Sequence, residues 1–190
     1  MTGILGADLS LTGTGLALIT DEQLGLSQST GWDCTLYPDV RAYIGCLPNQ
    51  STATRFLRWK HILDAILAWA QHADLIVIEG YSFGSHMAQA RAIAELGGIV
   101  RYHLMQEGKV PIEIPPTVLK KYVTGKGQSD KSLMLLETYR RWGIALNNHN
   151  SADAFGLAKI GQGFLNGTEN LTQFQAAIIA NLKKAETVAT

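Results

Sequence analysis

Apolar and polar positions alternate at the start of the chain. In Ile4-Leu5-Gly6-Ala7-Asp8-Leu9-Ser10-Leu11-Thr12, one face carries Leu5, Ala7, Leu9 and Leu11, and the other Gly6, Asp8, Ser10 and Thr12. A period of two predicts a strand. The turn Gly13-Thr14-Gly15 and the apolar run Leu16-Ala17-Leu18-Ile19 predict a hairpin partner. A third strand is expected over residues 32–37, and the Pro-, Gly-, Asn- and Ser-rich stretch 38–52 reads as a loop. Over 54–71 the period changes to that of a helix, with Phe56, Trp59, Leu63, Ile66 and Ala70 as its buried stripe and Trp59 and Trp69 in its interior. Leu75-Ile76-Val77-Ile78-Glu79 is an unbroken apolar run closed by a carboxylate, the pattern of a strand covered on both faces. A helix over 87–106 contains Gly97-Gly98, which predicts close backbone packing there, because mid-helix glycine costs roughly 1 kcal/mol relative to alanine. A strand over 110–114 stops at Pro115-Pro116. Helices follow over 117–123, 131–142 and 151–164, and a last one carries Leu171, Phe174, Ile178 and Leu182 on one face, to dock on the body or on a second subunit. This order predicts one α/β domain, a mixed sheet with helices on both sides.

At 190 residues, 46% of them hydrophobic and 17% charged, the chain suits one globular domain with a substantial core. No apolar stretch approaches a membrane span and no secretory leader opens the chain, so a cytoplasmic protein is expected. Cys34 and Cys46 fit no zinc pattern and read as reduced thiols. A formal net charge of zero argues against a nucleic-acid partner, but its distribution is uneven. Between 109 and 141, Lys109, Lys120, Lys121, Lys126, Lys131, Arg140 and Arg141 face only Glu113, Asp130 and Glu137, seven against three. That surplus is either a modest basic patch or an ordinary solvated surface.

Three carboxylates carry the candidate chemistry. Asp8 lies inside a strand, where acidic residues are depleted. Glu79 closes a buried strand at its carboxyl end, where open α/β sheets bind ligands. Asp153 follows Asn147-Asn148-His149-Asn150-Ser151-Ala152 at a helix start. Each has a plainer reading: a hydrogen-bonded structural Asp8, an exposed strand-end Glu79, and an Asp153 that completes a capping box with Asn150 as N-cap. Brought together, the three would repel one another, and a shared divalent cation resolves the conflict. Mg²⁺ takes such oxygen ligands, and two ions roughly 4 Å apart suit phosphodiester hydrolysis.

The stretches Leu5-Gly6-Ala7-Asp8-Leu9-Ser10-Leu11-Thr12-Gly13-Thr14-Gly15, Ile76-Val77-Ile78-Glu79-Gly80, Lys120-Lys121-Tyr122-Val123-Thr124-Gly125-Lys126-Gly127 with Lys131, and Ala152-Asp153-Ala154 occur in order. Together they resemble the RuvC-type Holliday junction resolvases, in particular the phage and prophage branch, over roughly residues 3–162. The resemblance implies a ribonuclease H-like fold, a mixed five-stranded sheet flanked by helices over 1–165, with 166–190 an amphipathic helical extension. It implies a homodimer that nicks opposing strands of a four-way junction symmetrically. Metal-activated water, with two Mg²⁺ (or Mn²⁺) per site, would leave 5′-phosphate ends. Asp8, Glu79 and Asp153 match the family's metal ligands.

The family commonly places Asp or His three positions before the last Asp, where this chain has Asn150, with His149 beside it. Asn150 is expected to be a ligand or positioning group, and His149 is the alternative for that place. Lys126 and Lys131 are implied to pair with phosphates near the scissile bond, and Lys120 and Lys121 with backbone beyond it. Ser10 and Thr12 share Asp8's face and are candidates to bond metal-bound water or the phosphate, or are ordinary polar residues of the sheet surface, while Tyr81 or Phe83 would wedge into the junction. The helix over 87–104 is the implied dimer contact. Three other readings stand beside this one: a broader flap and fork nuclease, a non-cleaving junction binder, and an actin-like sugar-kinase ATPase. The last also opens on Gly-x-Asp-x-Ser/Thr, but needs a second such domain and an adenosine motif that this chain lacks.

Overall fold

The structure, a computed structural model, describes residues 3–22, 24, 34–47, 54–81 and 87–189. Strands β1 (Ile4–Asp8), β2 (Gly15–Ile19), β3 (Cys34–Tyr37), β4 (Ala42–Cys46), β5 (Leu75–Glu79) and β6 (Ile112–Ile114) form one mixed sheet in the order β3-β4-β2-β1-β5-β6. β1 pairs antiparallel with β2, Asp8 opposite Gly15, and parallel with β5, Ala7 opposite Ile78. The parallel pairing lays the carboxyl ends of β1 and β5 side by side, so Asp8 and Glu79 leave the sheet together.

The alternation in β1 sorts its residues as the pattern predicts. Leu5, Ala7 and Leu9 join a core with α1 (Arg55–Ala70) and α2 (Met87–Gln106) on one face. On the other face lie α3 (Pro116–Thr124), α4 (Lys131–Trp142), α5 (His149–Asn166) and α6 (Gln173–Ala189). α5 rests directly on β1 and β2, and two glycines permit this. A Cβ on Gly6 would collide with the Ala154 carbonyl and the Ala158 nitrogen, and one on Gly15 with the backbone of Asn150. α6 docks on this side through Ile178 and Ile179, which share a core cluster with Val77, Leu119 and Leu157.

The fold corrects several expectations. The described sheet has six strands, not five, because residues 42–46 of the expected loop form β4. A 3₁₀ turn over Pro38–Val40 and a left-handed Arg41 (φ 51°) reverse the chain within four residues, so Ala42-Tyr43-Ile44 runs back along both β2 and β3. Turn residues on either side concealed this short apolar run. Residues 32 and 33 of the expected third strand lie outside the described residues. β6 is shorter than expected, and Val110 is 76% exposed. On α1 the buried set is Trp59, Ile62, Ala65, Ile66, Trp69 and Ala70. Phe56, in the first turn beyond the sheet, is 67% exposed and stands edge-on to Trp59 at 5.4 Å.

α5 begins two residues earlier than expected, at His149 rather than Ser151. Asn148 is the N-cap, and its side chain accepts from the Asn150 N–H at 2.8 Å. Asp153 therefore sits in the second turn, and no Asn150–Asp153 capping box forms. The basic surplus over 109–141 is not one patch either. Lys109 donates to the carbonyls of Ala70 and Ala73 at the end of α1, while Arg140 and Arg141 both pair with Glu137.

Candidate metal centre

Asp8, Glu79 and Asp153 converge at the carboxyl ends of β1 and β5, under the first turns of α5. Burial, then the neighbouring charges of Glu79 and Asp153, push Asp8 well above the usual carboxylate range, and it shares a hydrogen bond with Glu79. Burial and Asp153 push Glu79 up to about 7, against the pull of Lys120. Burial raises Asp153 to about 6, against the pull of Lys120 and Lys131. Three acids whose ionisation is opposed by burial and by one another are a site tuned for positive charge.

These residues suit a hard divalent ion in donor chemistry. All three supply carboxylate oxygen, the ligand type of Mg²⁺ and Mn²⁺. The Asp153 Oδ1 is buried and has no hydrogen-bond partner, an orphaned acceptor that a cation would satisfy. Among the described residues, no three His, Cys, Asp or Glu side chains close a cage around one point as they stand. Asp8 and Glu79 hydrogen-bond to each other.

Two lysines flank the acids. Lys120, from α3, acts on Glu79 and Asp153, and Lys131, at the start of α4, acts on Asp8 and Asp153. α4 opens here because Asp130 caps it, accepting from the Leu133 N–H at 2.7 Å. The Lys131 Nζ donates to the His149 Nε2 at 2.8 Å, and burial together with Lys131 holds His149 below its ordinary value, as a neutral acceptor. Lys121 and Lys126 are exposed. The turn carrying Lys126 is held by Thr124, whose Oγ1 accepts from the Lys126 N–H at 3.1 Å.

Asn150 reaches the hairpin: its Nδ2 donates to the Gly13 carbonyl, tying α5 to the β1–β2 turn. That turn is shaped by hydroxyls, with the Thr14 Oγ1 donating to the Ser10 carbonyl at 2.7 Å and the Thr12 N–H donating to the Ser10 Oγ at 3.3 Å. Ser10, Thr12, Lys131, His149 and Asn150 line a cavity of about 590 Å³ beside the carboxylates.

Tyr81 folds back onto α2, where its hydroxyl donates to the Ala94 carbonyl at 3.3 Å. Phe83 lies outside the described residues. Sequence reasoning missed Arg101, which stacks on Tyr81 at 4.5 Å, donates to its hydroxyl at 3.1 Å and to Glu113 at 2.5 Å, and reaches the Glu79 carbonyl at 3.4 Å. It braces the strand end that carries Glu79. The only local sign was its spacing of four from Gly97, the glycine that leaves room for the Tyr81 ring. His149 as the partner of Lys131 was missed as well, since 18 residues separate them.

No family model matches the chain, and no curated protein matches its sequence. Solved structures do match in fold. Thermus thermophilus RuvC superposes with a TM-score of 0.63 at 16% identity, over 96% of this chain and 97% of that one. T. thermophilus RuvC in complex with Holliday junction substrate gives 0.65 at 16% identity over the same shares. Fowlpox virus resolvase in complex with substrate Holliday junction DNA gives 0.52 at 12% identity, over 86% of this chain and 99% of that one. Across nearly its whole length, this chain therefore has the ribonuclease H-like fold of the RuvC-type Holliday junction resolvases.

Proposed function

We propose that this protein is a homodimeric, metal-dependent endonuclease that resolves four-way DNA junctions by paired symmetric nicks, as in the phage and prophage branch its motifs resemble. One observation carries the reading: three carboxylates, Asp8 buried and Glu79 and Asp153 half-buried, come from β1, β5 and α5 to one end of the sheet, within the influence of two lysines. The matched folds support it, since two of those structures hold Holliday junction DNA.

Asp8, Glu79 and Asp153 would hold Mg²⁺ or Mn²⁺, with the Asn150 carbonyl oxygen as an uncharged fourth donor. The cations supply a hydrolytic nucleophile and stabilise charge on the leaving oxygen. As ligands, the three carboxylates would bind in their ionised form. Lys120 and Lys131 would neutralise the scissile phosphate, and Ser10 and Thr12 would orient its oxygens. Expulsion of the 3′ oxygen leaves 5′-phosphate ends. Exposed Lys121 and Lys126 extend the contact along the backbone, without reading bases. The dimer contact is α2, whose stripe Ala94, Gly98, Tyr102 and Met105 is exposed, as are Phe56 and Leu57 of α1. Such a stripe of small and apolar residues fits a second copy.

The test is cleavage of labelled four-way junction, fork, flap and linear duplex in Mg²⁺, Mn²⁺ and EDTA, with Asp8→Asn alongside. Paired nicks confined to the junction, abolished by EDTA and by the substitution, are expected. Equal cutting of flaps and forks would make it a broader branched-DNA nuclease. Binding with no cut in either metal would make it a junction-binding protein.

A further inference from the structure

Away from the carboxylates, α3, α4, α5 and α6 enclose a second cavity, of about 630 Å³. Its wall holds Lys159, Arg141, Trp142, Gln162 and Gln175. The Lys159 Nζ donates to Gln162 and lies 5.8 Å from the centre of the Trp142 ring. Arg141 reaches in from the end of α4, its charge matched by Glu137 at 3.4 Å and its Nε donating to the Val123 carbonyl at 2.6 Å. Lys159 has no such match. Among the described residues no carboxylate pairs with it, and Glu169, the one acid in the lining, is exposed at the rim.

A half-buried ammonium with a neutral amide and an aromatic face as its partners is costly, because its desolvation is offset by no opposite charge. Burial accordingly lowers the affinity of Lys159 for its proton. The surroundings do not relieve this. Gln175 is committed, donating to the Tyr122 carbonyl at 3.1 Å and accepting from the Thr172 hydroxyl at 2.8 Å. The Tyr122 hydroxyl donates to the Lys159 carbonyl at 3.1 Å. The Gln162 amide nitrogen is the donor left over once its oxygen takes Lys159. The cavity thus offers an ammonium, a guanidinium and an amide N–H₂, in a volume typical of small-molecule sites.

We propose that this cavity binds a phosphate-bearing anion, with Lys159 as the charge partner and the Gln162 amide and Arg141 as supporting donors. The phosphate comes either from a free nucleotide or from the backbone of bound DNA, and the two sources separate experimentally. The proposal is independent of the carboxylate site.

The experiment titrates inorganic phosphate and deoxyadenosine monophosphate into wild type and Lys159→Met, in EDTA at constant ionic strength, following the melting temperature. Methionine keeps the apolar stem and removes the charge, so Lys159→Met is expected to melt higher than wild type without phosphate. It should also lose the saturable rise that phosphate or the nucleotide gives wild type. Should DNA alone be the source, neither small anion shifts wild type, and Lys159→Met lowers the log–log salt slope of duplex binding by about 0.9. A Trp142→Phe variant gives a second reading, the loss of a phosphate-dependent change in tryptophan fluorescence. Identical responses of wild type and Lys159→Met to both small anions and to DNA would overturn the proposal and leave Lys159 as a lysine that reaches water through an open cavity.

Discussion

At the scale of single residues, the site is governed by charge that burial makes expensive. Glu79 and Asp153, ordinarily near 4.5 and 3.8, are held at about 7 and about 6. The sign follows directly. Well below pH 4 both are protonated in the folded and the unfolded chain, and the fold bears no penalty. As pH rises from about 4, the unfolded chain releases its protons while the folded one keeps them, so stability is lost until the folded acids ionise at about 6 and about 7. Each tenfold change in acidity corresponds to about 1.4 kcal/mol. In EDTA the melting temperature should therefore fall between about pH 4 and about pH 7, and millimolar Mg²⁺ should remove most of that fall. Calorimetry giving a flat EDTA profile would show that the three acids do not interact as placed. Cleavage at limiting Mg²⁺ should rise over the same window.

His149 allows a second residue-scale prediction. Its ring anchors Lys131, and a hydrogen bond to a charged group contributes about 1.5–3 kcal/mol. His149→Ala should slow single-turnover cleavage by at least about tenfold, whereas His149→Gln, which keeps an acceptor, should slow it less. Adding His149→Ala to Lys131→Ala should change little, because the pair acts as one unit. Additive effects would instead give His149 a role apart from Lys131.

At the scale of elements, α2 separates its two glycines. A Cβ on Gly97 would come within 2.6 Å of the Arg101 guanidinium and 2.7 Å of the Tyr81 hydroxyl, whereas Gly98 meets nothing within 4 Å. The close packing expected of both is found at one. Gly98→Ala should stabilise the isolated protomer by about 1 kcal/mol, while weakening self-association if the α2 stripe is the dimer contact. Urea unfolding at low protein concentration and sedimentation equilibrium read the two effects separately. Gly97→Ala should push Arg101 off the Glu79 carbonyl and reduce cleavage out of proportion to its effect on stability. Unchanged cleavage would remove Arg101 from the support of Glu79.

At the scale of the whole molecule, a formally neutral chain binds DNA, in this reading, through a local concentration of lysine. Each lysine–phosphate contact adds about 0.9 to the log–log salt slope of binding. Lys121→Ala and Lys126→Ala should each lower that slope by about this amount and leave the rate of the bound complex intact. Lys120→Ala and Lys131→Ala, adjacent to the acids, should lower the rate as well. Filter binding from 50 to 200 mM salt, with single-turnover cleavage, checks both.

Much of this was legible in one dimension. The strand alternation around Asp8, the apolar run ending at Glu79 and the helical periods are local, because side-chain direction repeats every two or 3.6 residues whatever the chain later meets. They were enough to place Asp8 in the first strand and Glu79 at the end of another, and to assign the helices to their segments; that β1 stops at Asp8 is a finding of the structure. Other features are decided by contacts between residues far apart in sequence. β4 exists because β2 and β3 each offer it an edge, and the turn residues on either side hide its short apolar run in the sequence. Asp153 meets Asp8 because Gly6 and Gly15 let α5 lie against the sheet. Lys109, in line with the site lysines along the chain, turns to the end of α1 instead. The pairing of Lys131 with His149, the bracing of Glu79 by Arg101 and the uncompensated Lys159 have no sequence signature. Each depends on which surfaces the close packing of the core brings together, and local periodicity carries no record of that.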